Sequence, residues 1–225
     1  MKIIARIEND FKEKFGIPRQ SGIAANMISR IVFEPEYRVA DALRGIEGYS
    51  HLWLIWKFSE AERDSWSPTV RPPRLGGNKR MGVFATRSPF RPNPIGLSSV
   101  RLIGIEATER GETLLVSGAD LLDGTPIYDV KPYLAYTDSH PDAISGFSDA
   151  VKDYSLPVHI PDELAARLTA EQLGTLKDIL RDDPRPAYKD DGERIYTFKL
   201  GEYEISFKVT DGVLTVTDII KEDRK

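Results

Sequence analysis

Short apolar runs separated by turn residues occupy most of the first half of the chain. "KIIARI", "MISRIVFE", "HLWLIWKF", "RMGVFATR", "SSVRLIGIEA" and "TLLVSGADLL" are each brief and rich in β-branched or aromatic residues. That is the pattern of strands rather than helices. Turn signals at Gly76-Gly77, Asn93-Pro94, Arg110-Gly111 and Asp123-Gly124 punctuate the later runs. One segment, "VADALRGIEGY", is a helix candidate. Strands do not alternate with long helices, which disfavours a doubly wound parallel sheet. A closed or nearly closed antiparallel barrel fits better.

From about Pro132 the pattern changes. "YLAYTDSHPDAISGFSDAVKDYSLP" is polar, acidic and turn-rich, and reads as a connector. "PDELAARLTAEQLGTLKDILRDDP" then reads as helix: Thr169 with Gln172 forms a capping box, Leu173, Leu176 and Leu180 make an apolar stripe, and Pro184 stops it. The end alternates, with Tyr203, Ile205, Phe207 and Val209 against Glu204, Ser206 and Lys208, and Asp211-Gly212 turns it into "VLTVTDI". The expected fold class is mainly β. It comprises an antiparallel β-barrel over residues 1–135, a connector over 136–160 and a small α+β domain over 161–225.

Composition narrows the classes. The chain has 225 residues, 40% of them hydrophobic and 29% charged, compatible with a sizeable core. No apolar run approaches the roughly 20 residues of a membrane span. Acids in "MKIIARIENDFKEKFG" stand where a signal peptide would need its apolar core, so a cytoplasmic protein is expected. With no cysteine there is no disulfide, thiolate metal site or cysteine nucleophile. His51, His140 and His159 are far apart and lack metal-ligand spacing, so no metal is expected. No Gly-rich dinucleotide or phosphate fingerprint and no G-x-S-x-G occurs.

Against a net charge of -4, one region is basic. Between Trp66 and Ile105 there is no acid, yet Arg71, Arg74, Lys79, Arg80, Arg87, Arg91 and Arg101 all fall there. A charge run is often just a solvated face. Here Pro89, Pro92 and Pro94 fix the backbone of "SPFRPNPIG" and exclude a central strand, so Arg87 and Arg91 would sit on a rigid loop. The plainer alternative is a structural turn whose arginines bond carbonyls. "LLDGTPIYDVKPY" holds a tight turn that could offer carbonyls, a carboxylate and a hydroxyl to a ligand. "FGIPRQSG" sets Arg19 and Gln20 between glycines, His51 opens a strand that looks buried, and "DPRPAYK" pairs Arg185 with Tyr188.

The composite "RPPRLGGNKRMGVFATRSPFRPNPIGLS", with "KFGIPRQSG", "ALRGIEGYSHLWLIW", "LLDGTPIYDVKPY" and "DPRPAYK", resembles the TsaA-like (TrmO/YaeB) tRNA methyltransferase family. The resemblance runs from Met1 through Tyr133 and resumes at "DPRPAYK". It implies methyl transfer from S-adenosylmethionine to N6 of threonylcarbamoyl-adenosine at position 37 of tRNA, by a β-barrel homodimer. It implies donor contacts at Pro18, Arg19 and Gln20, at His51 and Leu52, at Arg87 and Leu97, and at Asp123, Gly124, Thr125 and Pro126. The C-terminal domain bearing "DPRPAY" would engage tRNA.

On that basis Arg87 and Arg19 are expected to hold the donor's carboxylate. The turn carbonyls and Asp123 would lie near the sulfonium, or Asp123 would bond the ribose. Lys79, Arg80 and Arg91 would meet the anionic nucleoside and Arg185 the tRNA, with Tyr188 stacking on a base. No general base is identifiable; His51 and Asp123 are candidates, as are water and the substrate itself. A barrel methyltransferase with a different acceptor, a non-enzymatic RNA-binding barrel and a cofactor-sensing module are the competing classes.

Overall fold

Five of the short apolar runs supply β1 (Ala5–Glu8), β2 (Ile28–Phe33), β3 (His51–Lys57), β6 (Ile95–Thr108) and β7 (Gly111–Ser117), and a sixth strand is β8 (Pro126–Pro132). They pair into one antiparallel sheet that returns on itself as a closed barrel, in the order β1-β2-β7-β6-β3-β8. A two-stranded ribbon, β4 (Thr69–Val70) with β5 (Met81–Gly82), lies between β3 and β6 in the chain. This computed structural model describes residues 1–61, 65–72, 75, 79–185, 192 and 194–222.

The period of two seen in "HLWLIWK" is the burial pattern of β3: Leu52, Leu54 and Trp56 point inward, and the residues between them are half-buried. Ile7, Ile31, Val100, Leu114, Val116, Leu121 and Ile127 complete that core. Alternation works here because successive strand side chains face opposite sides of the sheet.

Several expectations change. "VADALRGIEGY" is two 3-10 turns, Ala40–Leu43 and Ile46–Gly48, rather than one helix. Gly45 between them has φ +87°, a left-handed conformation that breaks helical continuity. "RMGVFATR" is a strand only at Met81–Gly82 and then turns at Val83–Ala85. β6 begins at Ile95, so the last residues of the proline loop join a strand. "PIYDVKP", read within a turn motif, is the whole of β8.

The C-terminal unit is mostly β. Strands β10 (Tyr196–Leu200), β11 (Tyr203–Thr210) and β12 (Val213–Lys221) form an antiparallel meander, and β9 (Val158–His159), from the expected connector, adds a parallel edge. The long helical segment divides into α2 (Asp162–Ala165) and α3 (Ala170–Arg181), after α1 (Ala135–Asp138) in the connector. Thr169 and Gln172 make the expected reciprocal capping box on α3. Leu176, Ile179 and Leu180 are buried on the sheet.

That second core also takes residues from the other end of the chain. Phe11, Ala24 and Met27 are buried in it, with Phe15 and Ile17 packed alongside. The Gly201 amide donates to the Asp10 carbonyl at 2.8 Å, the Lys199 amide to Glu13 at 2.9 Å, and Asn26 to Asp178 at 2.9 Å. Residues 9–27, between β1 and β2, therefore tie the barrel to the C-terminal sheet.

Candidate functional site

At one end of the barrel the chain gathers charged groups of both signs. The Gly22 amide bonds the Gly118 carbonyl at 2.8 Å, seating the 18–22 loop beside the end of β7. From that loop Gln20 accepts a hydrogen bond from Arg87 Nη1. Arg87 follows the Val83–Ala85 turn, where the Thr86 amide and hydroxyl both donate to the Val83 carbonyl. Leu97, next along on β6, is 57% exposed.

Asp120 shares this end and was not among the residues picked from the sequence. Trp56 Nε1 donates to Ser98 Oγ at 2.9 Å, and Ser98 Oγ donates to Asp120 Oδ1 at 2.5 Å. The direction follows from chemistry. An indole N–H only donates, so the Ser98 hydroxyl accepts from it and has its one hydrogen left for the carboxylate. Burial pushes the Asp120 carboxyl above the ordinary range, opposed by the Ser98 bond, Asp120's own amide and the nearby Arg87 charge. Asp120 lies inside the strand-like run "TLLVSGADLL", and no local signal distinguishes it.

The other expected donor contacts are spread more widely. Leu52 is fully buried with its side chain among the barrel core residues. His51 begins β3, opposite Arg101, and its Nδ1 lies 2.9 Å from Ser50 Oγ. Leu97 pairs with Ile55, four residues further along β3. At about 3.3 Å per residue this separates the His51 and Leu97 levels by about 13 Å along the strand. Within one chain, His51 is therefore not brought to the Gln20–Arg87 cluster.

Asp123 is committed to the fold. Its Oδ1 accepts from the Asn9 amide at 2.9 Å, and its Oδ2 from Lys12 Nζ at 2.8 Å. The Gly124 carbonyl accepts from Arg6 Nη1 at 3.1 Å and the Thr125 carbonyl from the Ile7 amide at 3.2 Å. Thr125 and Pro126 are buried. The 123–126 turn thus spends much of its polar capacity holding residues 6–12, the plain turn role weighed from the sequence.

Arg19, beside the buried Pro18, donates Nη2 to the carbonyls of Asp183 (3.3 Å) and Arg185 (2.7 Å). This departs from the expected carboxylate clamp, because the guanidinium links the 18–22 loop to the C-terminal unit instead. Arg91 bonds the carbonyls of Thr86 (3.0 Å) and Ser88 (3.3 Å) in its own loop, while Lys79 and Arg80 are exposed. Arg185 is not a surface contact: it is buried against Asp183. Tyr188, and Arg74 in the basic stretch, lie outside the described residues. Among the described residues no cluster suits a metal ion, and no helix is long and apolar enough to cross a membrane.

Comparison with known proteins adds a consistent set of matches. Residues 6–139 match the family described as tRNA-methyltransferase O N-terminal domain, and residues 153–222 match the TrmO C-terminal domain. The chain is 41% identical over 216 residues to the tRNA (adenine(37)-N6)-methyltransferase of Escherichia coli, covering 92% of each. It is 46% identical over 173 residues to the protein of that name from Eikenella corrodens, covering 76% of this chain and 97% of the relative. A crystal structure of TrmO from Pseudomonas aeruginosa superposes with TM-score 0.76 at 33% identity, over 97% of both chains.

Proposed function

We propose, from the premise that this chain belongs to the tRNA-methyltransferase O family, that it methylates N6 of the adenine at position 37 of tRNA. S-adenosylmethionine is the methyl donor, and the acceptor is the threonylcarbamoyl form of that adenosine. The enzyme acts in the cytoplasm as a homodimer, with the antiparallel β-barrel carrying the donor. Ile95 and Ile103, exposed on β6, add apolar surface that supports self-association. The observation carrying the reading is the joint match of both domains, in a chain where Arg87 bonds Gln20 and its charge lies near the Asp120 carboxylate.

Those residues fit the donor. Its amino acid end is a zwitterion, and a guanidinium near a carboxylate complements one. Arg87, bonded to Gln20, would hold the carboxylate, and Asp120 would meet the ammonium. Leu97 adds an apolar contact. S-adenosylmethionine supplies a methyl group already activated on a sulfonium, with a neutral thioether as leaving group. A bond forms from N6 to the methyl carbon as the carbon–sulfur bond breaks, and the N6 proton passes to solvent or a nearby acceptor. The protein's contribution is chiefly orientation, for which a rigid loop and a hydrogen-bonded rim are suited.

Labelled S-adenosylmethionine offered with two preparations of one tRNA tests the assignment. One preparation carries threonylcarbamoyl-adenosine at position 37 and the other lacks that modification. Label is expected in that nucleoside of the modified tRNA alone. Donor binding by calorimetry with no label in either preparation sinks the tRNA assignment.

Asp120→Asn separates positioning from proton transfer. The donor KM is expected to rise about tenfold, the loss of one charge-assisted contact, with kcat at saturating donor preserved. Stability should move the other way. A carboxyl whose folded pKa is raised makes the folded protein less stable as pH rises from the ordinary carboxylate value through the folded one. Asn removes that dependence, so the variant's Tm at neutral pH is expected to equal or exceed wild type. A kcat loss that tracks pH would instead make Asp120 a base.

A further inference from the structure

Trp66 and Phe84 stand outside both cores, 51% and 72% exposed, with ring centroids 6.1 Å apart and planes within 29°. They flank the base of the β4–β5 ribbon. Its register is Thr69↔Gly82 and Val70↔Met81, closed at that end by the Val83 amide on the Pro68 carbonyl at 2.9 Å. At the ribbon's other end Arg71 follows the paired Val70 and Arg80 precedes the paired Met81, with Lys79 next to it. All three are exposed, and no acidic partner is found for them among the described residues. Like charges gathered this closely in the chain fold are unfavourable without an anion between them.

We propose that this ribbon is a stacking platform for an unpaired RNA base, with Trp66 and Phe84 offering the aromatic faces and Arg71, Lys79 and Arg80 meeting the adjacent phosphates. The proposal rests on the tRNA reading above and gives that substrate a second point of contact. An exposed aromatic pair beside concentrated positive charge matches single-stranded RNA, which presents both a π-face and phosphates. A duplex keeps its base faces stacked away, and a protein partner gains little from unpaired cations clustered at a contact. The ribbon's position fits the role: Phe84 is three residues before Arg87, and the Val83–Ala85 turn joins them directly. A base held at the ribbon is thereby kept close to the methyl-transfer site.

The test uses full-length protein, a tRNA anticodon stem-loop carrying threonylcarbamoyl-adenosine, and the same sequence annealed as a closed duplex. Trp66→Ala and Phe84→Ala are each expected to weaken stem-loop binding, and raise the tRNA KM, about tenfold. Donor affinity and kcat at saturating tRNA should be unchanged. Trp66→Phe keeps a stacking face, so its affinity is expected within about threefold of wild type. Stem-loop binding should quench wild-type tryptophan emission. The quench should vanish in Trp66→Phe, where Trp53 and Trp56 remain, which keeps the idea testable even if the alanine variants fold poorly.

Unchanged RNA affinity in Trp66→Ala, with methyl transfer intact, overturns the platform and leaves the enzymatic reading standing. Equal binding of duplex and stem-loop also overturns it. So does a variant that keeps RNA affinity but sediments as a smaller species, since the surface would then belong to self-association. If wild-type protein methylates no tRNA, the enzymatic reading fails, and stem-loop affinity and quenching still decide the platform.

Discussion

Gly96→Ala is expected to cost about 3 kcal/mol of stability and to raise the donor KM. A Cβ at Gly96 would lie 2.1 Å from Trp56 Cε2 and 2.4 Å from Cζ2, well inside contact distance. The indole has little room to yield. It is 5% exposed, bonded to Ser98, and tilted against Phe58 with centroids 4.2 Å apart. Moving it releases the Ser98 hydroxyl from its fixed direction and so disorders Asp120. The stability loss and the raised donor KM then share a cause, and a double variant separates them. Gly96→Ala with Trp56→Leu should recover much of the stability by making space, while donor KM stays elevated because Ser98 has lost its indole donor. Chemical denaturation and donor titration check both halves. A single variant with wild-type stability would show that β3 and β6 can part at this point.

Asp183→Ala is expected to destabilise the protein by about 3–5 kcal/mol, because it strands a buried cation. Asp183 and Arg185 side chains are each only 9% exposed, and the carboxylate accepts from Arg185 Nε at 2.8 Å and Nη2 at 3.0 Å. Tyr154 donates to the same carboxylate at 3.0 Å. Burial alone would raise the Asp183 carboxyl, but the Arg185 bonds and charge outweigh it and hold it below the ordinary range. The resulting stability is present above the ordinary carboxylate value and is lost as pH falls through the folded one. Asp183→Ala should therefore unfold in less denaturant at neutral pH and lose much of the wild type's acid sensitivity. The same substitution disturbs the carbonyls that Arg19 bonds, so the 18–22 loop should become more exchangeable in hydrogen-exchange measurements. A Tm within a few degrees of wild type would mean that Arg185 reaches solvent when unpaired.

Much of this protein is legible in runs of consecutive residues. The alternation in "HLWLIWK" and in Tyr203 to Val209, the Thr169–Gln172 box and the Asp211-Gly212 turn all became the elements expected. Periodicity and turn chemistry are local properties, so local sequence carries them. The long proline- and glycine-rich motif is likewise continuous, and together with the other matching segments it carries the resemblance to the family.

What the tertiary structure decided involves residues distant in the chain. Ser98 meets Asp120 across 22 positions, Trp56 meets Ser98 across 42, and Arg87 meets Gln20 across 67. Strand pairing and the docking of loops make those meetings, and nothing in the short segments around each residue encodes the partner. The same reason explains why Asp123 and Arg19 looked available for ligands: their partners arrive from other segments, Lys12 and the Asn9 amide for Asp123 and the 183–185 carbonyls for Arg19. Arg185 pairs locally with Asp183, two residues back, and it is burial in the folded protein that withdraws it from the surface. Sequence determined the kind of chemistry this chain carries. The closed sheet, and the 9–27 segment packed into the C-terminal core, decided which side chains remain free to perform it.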